Sequence, residues 1–264
     1  MQATPTAPNE VSTRTVRFRI KRQDSPTSQP YWQEFDVPYR PNLNVISCLQ
    51  WIAANPRTVD GREVAPVVWE SNCLEEVCGA CTMVMNGRVG QSCSKLIDEL
   101  LAESDVITLE PMSKFPVVRD LWVNRQRMFE TLKKLRGWVP IDGTYHLGAG
   151  PTETPEQQEM RYALSRCMTC GCCLEACPQF TLDNQFAGAF AFGQTLYFNM
   201  HKTGAELKDE RLTFMEGPGG ITDCGQAQNC VKVCPKGVPL LDAIAAIGRQ
   251  TTVHAIKQFF SGKR

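Results

Sequence analysis

One cysteine phrase occurs twice in the chain, and its second copy lacks a member. Cys167-x2-Cys170-x2-Cys173-x3-Cys177-Pro178 is answered by Cys224-x2-Ala227-x2-Cys230-x3-Cys234-Pro235, so Ala227 stands where the first copy has a cysteine. Thiolates at these spacings hold iron-sulfur clusters, and in two-cluster arrangements the fourth cysteine of each run crosses to the other cluster. The pattern therefore predicts a [4Fe-4S] cluster on Cys167, Cys170, Cys173 and Cys234. It leaves Cys177, Cys224 and Cys230 for the second site. With alanine at the remaining corner, one iron has no thiolate and is readily lost, which predicts a [3Fe-4S] cluster. The chemistry on offer is one-electron transfer.

A further constellation, Cys73-x4-Cys78-x2-Cys81-x11-Cys93, lies upstream. Its first three members have the plant-type spacing of a [2Fe-2S] centre. Asn86-Gly87 between Met83-Val84-Met85 and Arg88-Val89 reads as a tight hairpin turn, which would return Cys93 opposite Cys81. Gly79 suits a backbone that must lie close to the cluster sulfides. A structural zinc loop is the alternative, although x4 followed by x2 is not the paired CxxC pattern of zinc ribbons. Cys48 sits in an apolar helical stripe and reads as a small core hydrophobe. Cys172 is off register and reads as packing. His146, His201 and His254 are scattered and read as surface or helix-terminal residues. Arg161, Arg166 and Lys236 flank the cysteine phrases, where their charge could tune a potential.

The elements that must position these cysteines are of two kinds. Residues 15–22 (TVRFRIKR) alternate apolar and charged side chains, and residues 31–37 (YWQEFDV) follow a turn, predicting a hairpin. A core helix is expected over residues 44–52, and short strands over 67–69 and 105–110. Beyond these the composition turns helical. Residues 119–138 carry Leu121, Trp122, Phe129, Leu132 and Leu135 at helical spacing and predict one amphipathic helix. A loop follows over 139–151. Thr154-Pro155-Glu156-Gln157 then reads as an N-cap, an N1 proline and a capping-box glutamine that launch a helix toward Cys167.

Composition limits the alternatives. The 264 residues suffice for two domains. Thirteen cysteines, bunched and odd in number, fit a disulfide framework poorly. With 28 basic and 28 acidic residues there is no electrostatic case for nucleic acid. The segment MQATPTAPNEVS has neither the basic nor the apolar region of a secretory signal. The apolar run FAGAFAF (186–192) is far short of the roughly 20 residues that span a bilayer. A role at a membrane would need a partner that crosses it.

Taken together, the [2Fe-2S] motif with its x11 return and the doubled phrase with its missing cysteine resemble the iron-sulfur subunits of succinate dehydrogenase and fumarate reductase, respiratory complex II. The resemblance spans residues 16–260 and places eleven of the thirteen cysteines on family ligand positions. It implies an α+β chain. Residues 1–115 would form a β-grasp, plant-type ferredoxin-like domain, and residues 116–264 an all-α, bacterial ferredoxin-like domain. It also implies an FAD-containing flavoprotein partner that oxidises succinate, a membrane-anchor cytochrome b partner, and quinone as acceptor. The chain would lie peripherally on the cytoplasmic face of the bacterial cell membrane, carry electrons through [2Fe-2S], [4Fe-4S] and [3Fe-4S] in that order, and have no dicarboxylate site of its own.

Two positions depart from the ubiquinone-using members, which place a tryptophan five residues after the last cysteine of the first phrase and a histidine after the first cysteine of the second. Here they are Leu182 and Gly225. This resembles the menaquinone-linked bacterial enzymes with a dihaem cytochrome b. Pro178, Leu182 and Ala227 are the quinone-proximal candidates, with Phe180 completing an apolar wall. A quinol:fumarate reductase subunit running the same wire in reverse is the second reading, and a free ferredoxin-type carrier is the third.

Overall fold

The computed structural model describes residues 14–140 and 152–262. His146 and most of the expected 139–151 loop lie outside them.

The first half is a mixed five-stranded sheet with a helix packed on it, the β-grasp arrangement. Strand β1 (Thr15–Arg22) buries Val16, Phe18 and Ile20 on one face and pairs antiparallel with β2 (Tyr31–Pro38), from Arg22 opposite Tyr31 to Thr15 opposite Pro38. Helix α1 (Val45–Ala54) starts at Asn44, whose Oδ1 accepts from the Ser47 amide at 2.8 Å. Its Val45, Ile46, Leu49 and Ile52 cover the sheet. Each such side chain contributes roughly 1.5–3 kcal/mol by leaving water. Cys48 lies in this stripe, and burial pushes its thiol up to about 12, as suits a packing residue.

Strands β3 (Thr82–Met85) and β4 (Arg88–Gln91) form the expected hairpin. Asn86 and Gly87 have φ values of 46° and 76°, the mirror-image turn that matches strand twist. After helix α2 (Ile97–Leu101), strand β5 (Val106–Glu110) enters between β1 and β3, giving the order β2-β1-β5-β3-β4. It runs parallel to β1 and antiparallel to β3.

Two sequence expectations fail, and one residue explains both. Residues 67–69 are not a strand, and the helix expected over 119–138 is broken. Its first part is a small hairpin of β6 (Val117–Arg119) and β7 (Trp122–Val123), and only α3 (Gln126–Lys134) is helical. Asp120, at φ 48°, turns that hairpin and buries its carboxylate against Arg22 at 2.8 Å. The same carboxylate accepts from the amides of Gln23 and Val68. Val68 thereby spends its amide on a side chain instead of a ladder. Of the expected helical stripe, Leu121 and Leu135 are buried, whereas Trp122 and Phe129 are exposed.

The second half is helical. Helix α4 (Pro155–Ser165) begins at a complete capping box between Thr154 and Gln157. It is followed by α5 (Cys172–Glu175), α6 (Ala189–Met200), α7 (Lys208–Glu216), α8 (Asn229–Lys232) and α9 (Leu240–Ser261). Helix α6 is buried along most of its length and supplies Phe190, Phe192 and Leu196 to a second core. Arg211 is buried and donates to the carbonyls of Arg136, Trp138 and Gly204 and to Asn199 Oδ1. His201 is helix-terminal as expected, but His254 is not a surface residue: it is 6% exposed, with Nδ1 2.7 Å from Glu216 Oε1. Among the described residues no helix is long and apolar enough to cross a membrane.

Candidate metal centres

The loop before β3 brings the first four cysteines together. Cys73 meets Cys78, and Cys93, returned by the β3–β4 hairpin, meets Cys81 and feels Cys73. Leu74, Glu76 and Gly79 all take positive φ, which turns successive amides toward the sulfurs. The amides of Glu75, Val77 and Cys78 donate to Cys73 Sγ at 3.3–3.4 Å, and that of Ala80 to Cys78 Sγ at 3.4 Å. The amides of Glu75, Val77 and Cys78 hold the Cys73 thiol down at about 7. Cys93 is pushed up to about 11, chiefly by burial.

The two phrases of the second half interlock. Cys173 feels Cys170, Cys167 and Cys234, so the last cysteine of the second phrase sits with the first three of the first. These four line one cavity, with Lys236 at its edge. Cys230 in turn feels Cys177 and Cys224. Those three, with Pro178, Gly225 and Ala227, line a cavity of about 280 Å³. Thr169, Gln226 and Gln228 have positive φ in these loops. Five of the nine non-glycine residues with positive φ among the described residues thus lie in cysteine loops, a concentration that marks function over accident.

The sites touch. A Cβ on Gly79, at φ 70°, would fall 2.8 Å from Cys170 Cβ, so glycine is required for the upstream loop to reach the first phrase. Arg125, which sequence reasoning missed, donates to the Gly79 carbonyl at 2.7 Å and pairs with Glu70 at 3.4 Å. Near the third group, Lys114 Nζ donates to the Cys177 carbonyl, while the Lys114 amide and Ser113 bind the Glu175 carboxylate. Arg161 pairs with Glu153, and Arg166 reaches the Gly237 carbonyl.

Of the quinone-proximal candidates, Pro178 and Ala227 line the cavity of Cys177, Cys224 and Cys230. Leu182 does not, and is 54% exposed. Phe180 is buried against Phe115 and beneath Arg127, so it offers no face to a ligand.

These surroundings fit iron-sulfur clusters. Convergent thiols, inward-pointing amides and left-handed loop residues form the anion-holding concavities such clusters occupy. The known proteins that the chain resembles agree. Residues 17–130 match a 2Fe-2S iron-sulfur cluster binding domain, and residues 163–238 a 4Fe-4S dicluster domain. The succinate dehydrogenase iron-sulfur subunit of Bacillus subtilis is 53% identical over 251 residues, covering 95% of this chain and 98% of that protein. The fumarate reductase iron-sulfur subunit of Wolinella succinogenes is 26% identical, covering 90% and 97%. A chain of the Mycobacterium smegmatis Sdh1 complex in the apo form superposes with a TM-score of 0.72 at 19% identity, over 91% of this chain and 96% of that one, a likeness of fold. The chain is an electron-carrying iron-sulfur subunit and belongs to the succinate dehydrogenase and fumarate reductase family.

Proposed function

We propose that the chain carries electrons from an FAD-containing flavoprotein to a quinone bound beside a membrane-anchor cytochrome b, within a complex that oxidises succinate. In this reading Cys73, Cys78, Cys81 and Cys93 hold the [2Fe-2S] cluster. Cys167, Cys170, Cys173 and Cys234 hold the [4Fe-4S] cluster, and Cys177, Cys224 and Cys230 the [3Fe-4S] cluster. Bound there, the clusters supply one-electron carriers. The chain's own residues keep them in sequence. Gly79 brings the first loop against Cys170, and the crossing of Cys177 and Cys234 between phrases ties the second group to the third. That crossing is the observation that carries the reading.

The exit side is assigned to Pro178 and Ala227, with Leu182 outside the cavity on the adjoining surface. Leu182 and Gly225 at the two departing positions support menaquinone and a dihaem anchor. The chain would dock peripherally on the cytoplasmic face of the membrane. The working domain division is 1–115 and 116–264, with Met112 and Phe115 reaching forward into the second core and Leu121 back into the first. Fumarate reduction is the second reading, favoured by similarity to fumarate reductase subunits.

Purification of the native complex tests the reading. It should yield about nine irons per chain and three distinct electron paramagnetic resonance (EPR) signatures, together with a flavoprotein, a cytochrome b and menaquinone. A chain isolated without those partners, or with one zinc in place of the [2Fe-2S] signal, would contradict it. Ubiquinone in place of menaquinone would overturn the subtype alone.

A further inference from the structure

Gln91, the last residue of β4, is 3% exposed, and each end of its amide lies against a cysteine sulfur. Its Nε2 donates to Thr82 Oγ1 at 2.8 Å and to Cys172 Sγ at 3.5 Å, and its Oε1 lies 3.5 Å from Cys81 Sγ. The single hydroxyl proton of Thr82 goes to the Gly79 carbonyl at 2.9 Å, so the Thr82 oxygen can only accept from the amide. This fixes which end of Gln91 faces which site. The carbonyl faces Cys81, in the first half of the molecule, and the N–H₂ faces Cys172, in the second.

Cys172 is fully buried and directly follows Gly171, whose φ of 95° turns the chain just after Cys170. It lines the same cavity as Cys167, Cys170, Cys173 and Cys234, so with its sulfur accepting from Gln91 its own S–H is free to donate toward that group.

We infer that Gln91 is a positioning residue that sets the potentials of the first two clusters relative to one another, its carbonyl disfavouring an added electron at the Cys81 site and its N–H, relayed through the Cys172 thiol, favouring one at the Cys170 site. The inference rests on the ligand assignment proposed above. As a ligand, Cys81 is a thiolate with no proton to offer, so the 3.5 Å contact sets the oxygen end of a dipole against negative charge. Hydrogen bonds to cluster sulfurs are among the determinants of potential, and donors stabilise the reduced, more negative form. One amide therefore biases both centres, in the sense that helps an electron pass from the first half to the second. The step moves one electron and no proton, and Gln91 and Cys172 keep theirs.

The test is an EPR-monitored redox titration of the purified complex carrying Gln91→Leu. The expected result is opposite shifts, with the [2Fe-2S] midpoint rising, the [4Fe-4S] midpoint falling and the [3Fe-4S] midpoint unmoved. Shifts in the same direction, movement of one centre only, or no shift would overturn the inference. The second pair of variants decides the matter should Gln91→Leu fail to assemble. Cys172→Ala should lower the [4Fe-4S] midpoint alone, and Cys172→Ser, which keeps a donor, should hold it near the wild-type value. Equal midpoints in the two would overturn the relay and the inference with it. Failure of the ligand assignment looks different: a cluster spectrum would persist in Cys81→Ala or Cys170→Ala, whatever the potentials.

Discussion

The two halves of the molecule gather cysteines in different ways. In the first half all four come from residues 73–93, a loop and the hairpin behind it, and the ordering is local: amides two to five residues away point at Cys73. In the second half each group borrows from a phrase more than forty residues distant, Cys234 joining Cys167, Cys170 and Cys173 while Cys177 joins Cys224 and Cys230. A local site depends on its own turn chemistry. An interlocked site depends on helix packing, and its two groups stand or fall together.

The largest effect should come from breaking the interlock. Cys234→Ala removes a ligand from one group and loosens the loop that carries Cys230, so both the [4Fe-4S] and [3Fe-4S] signals should be lost while the [2Fe-2S] signal survives. Cys73→Ala should do the reverse, removing the [2Fe-2S] signal alone. Quinone reduction should fall to background in both, and EPR of the two variants separates them. Equal loss of all three signals in Cys73→Ala would erase the contrast between local and interlocked sites.

Next in size is the buried pair that anchors the first half. Asp120→Ala leaves Arg22, which is 1% exposed, without its carboxylate, and should cost about 3–5 kcal/mol in unfolding experiments. The replacement also frees the amides of Gln23 and Val68, so the segment from Val67 to the Cys73 loop should lose hydrogen-exchange protection before the helical half does.

This pair also shows where the sequence was legible and where it was not. The cysteine groupings, the Asn86-Gly87 hairpin and the Thr154 capping box could be read because each is written in nearby residues or in a repeated spacing. The broken helix over 119–138 could not. Its periodicity is real, but Asp120 bonds Arg22, 98 residues earlier, and that buried ion pair outweighs local helix preference. The burial of His254 is illegible for a similar reason, since its partner Glu216 lies on a different helix. Gln91 and Arg125 left no signal, because an amide at the end of a strand and an arginine before a helix are ordinary until the fold sets them beside sulfur.

A smaller, selective effect should distinguish the exit side. Pro178→Trp intrudes on the cavity beside Cys177, Cys224 and Cys230, and should slow quinone reduction severalfold while leaving succinate oxidation by a soluble dye and all three spectra intact. Leu182→Trp, outside that cavity, should slow it less. Equal effects of the two would mean that the surface, and not the cavity, governs exit. Smallest of all, Thr154→Ala removes the capping box ahead of Cys167 and should cost about 1 kcal/mol, read as a modest fall in melting temperature with the clusters retained.

The central claim is that one repeated phrase, short of one cysteine, builds two unlike clusters, and the EPR spectrum of the oxidised complex carrying Ala227→Cys tests it most directly. Ala227 lines the cavity of Cys177, Cys224 and Cys230, where a fourth thiolate could reach the missing corner. The expected result is loss of most of the three-iron signal, appearance of a second four-iron signal on reduction at a lower potential, and slower quinone reduction. A three-iron signal of unchanged intensity, with residue 227 present as a free thiol, would contradict the account.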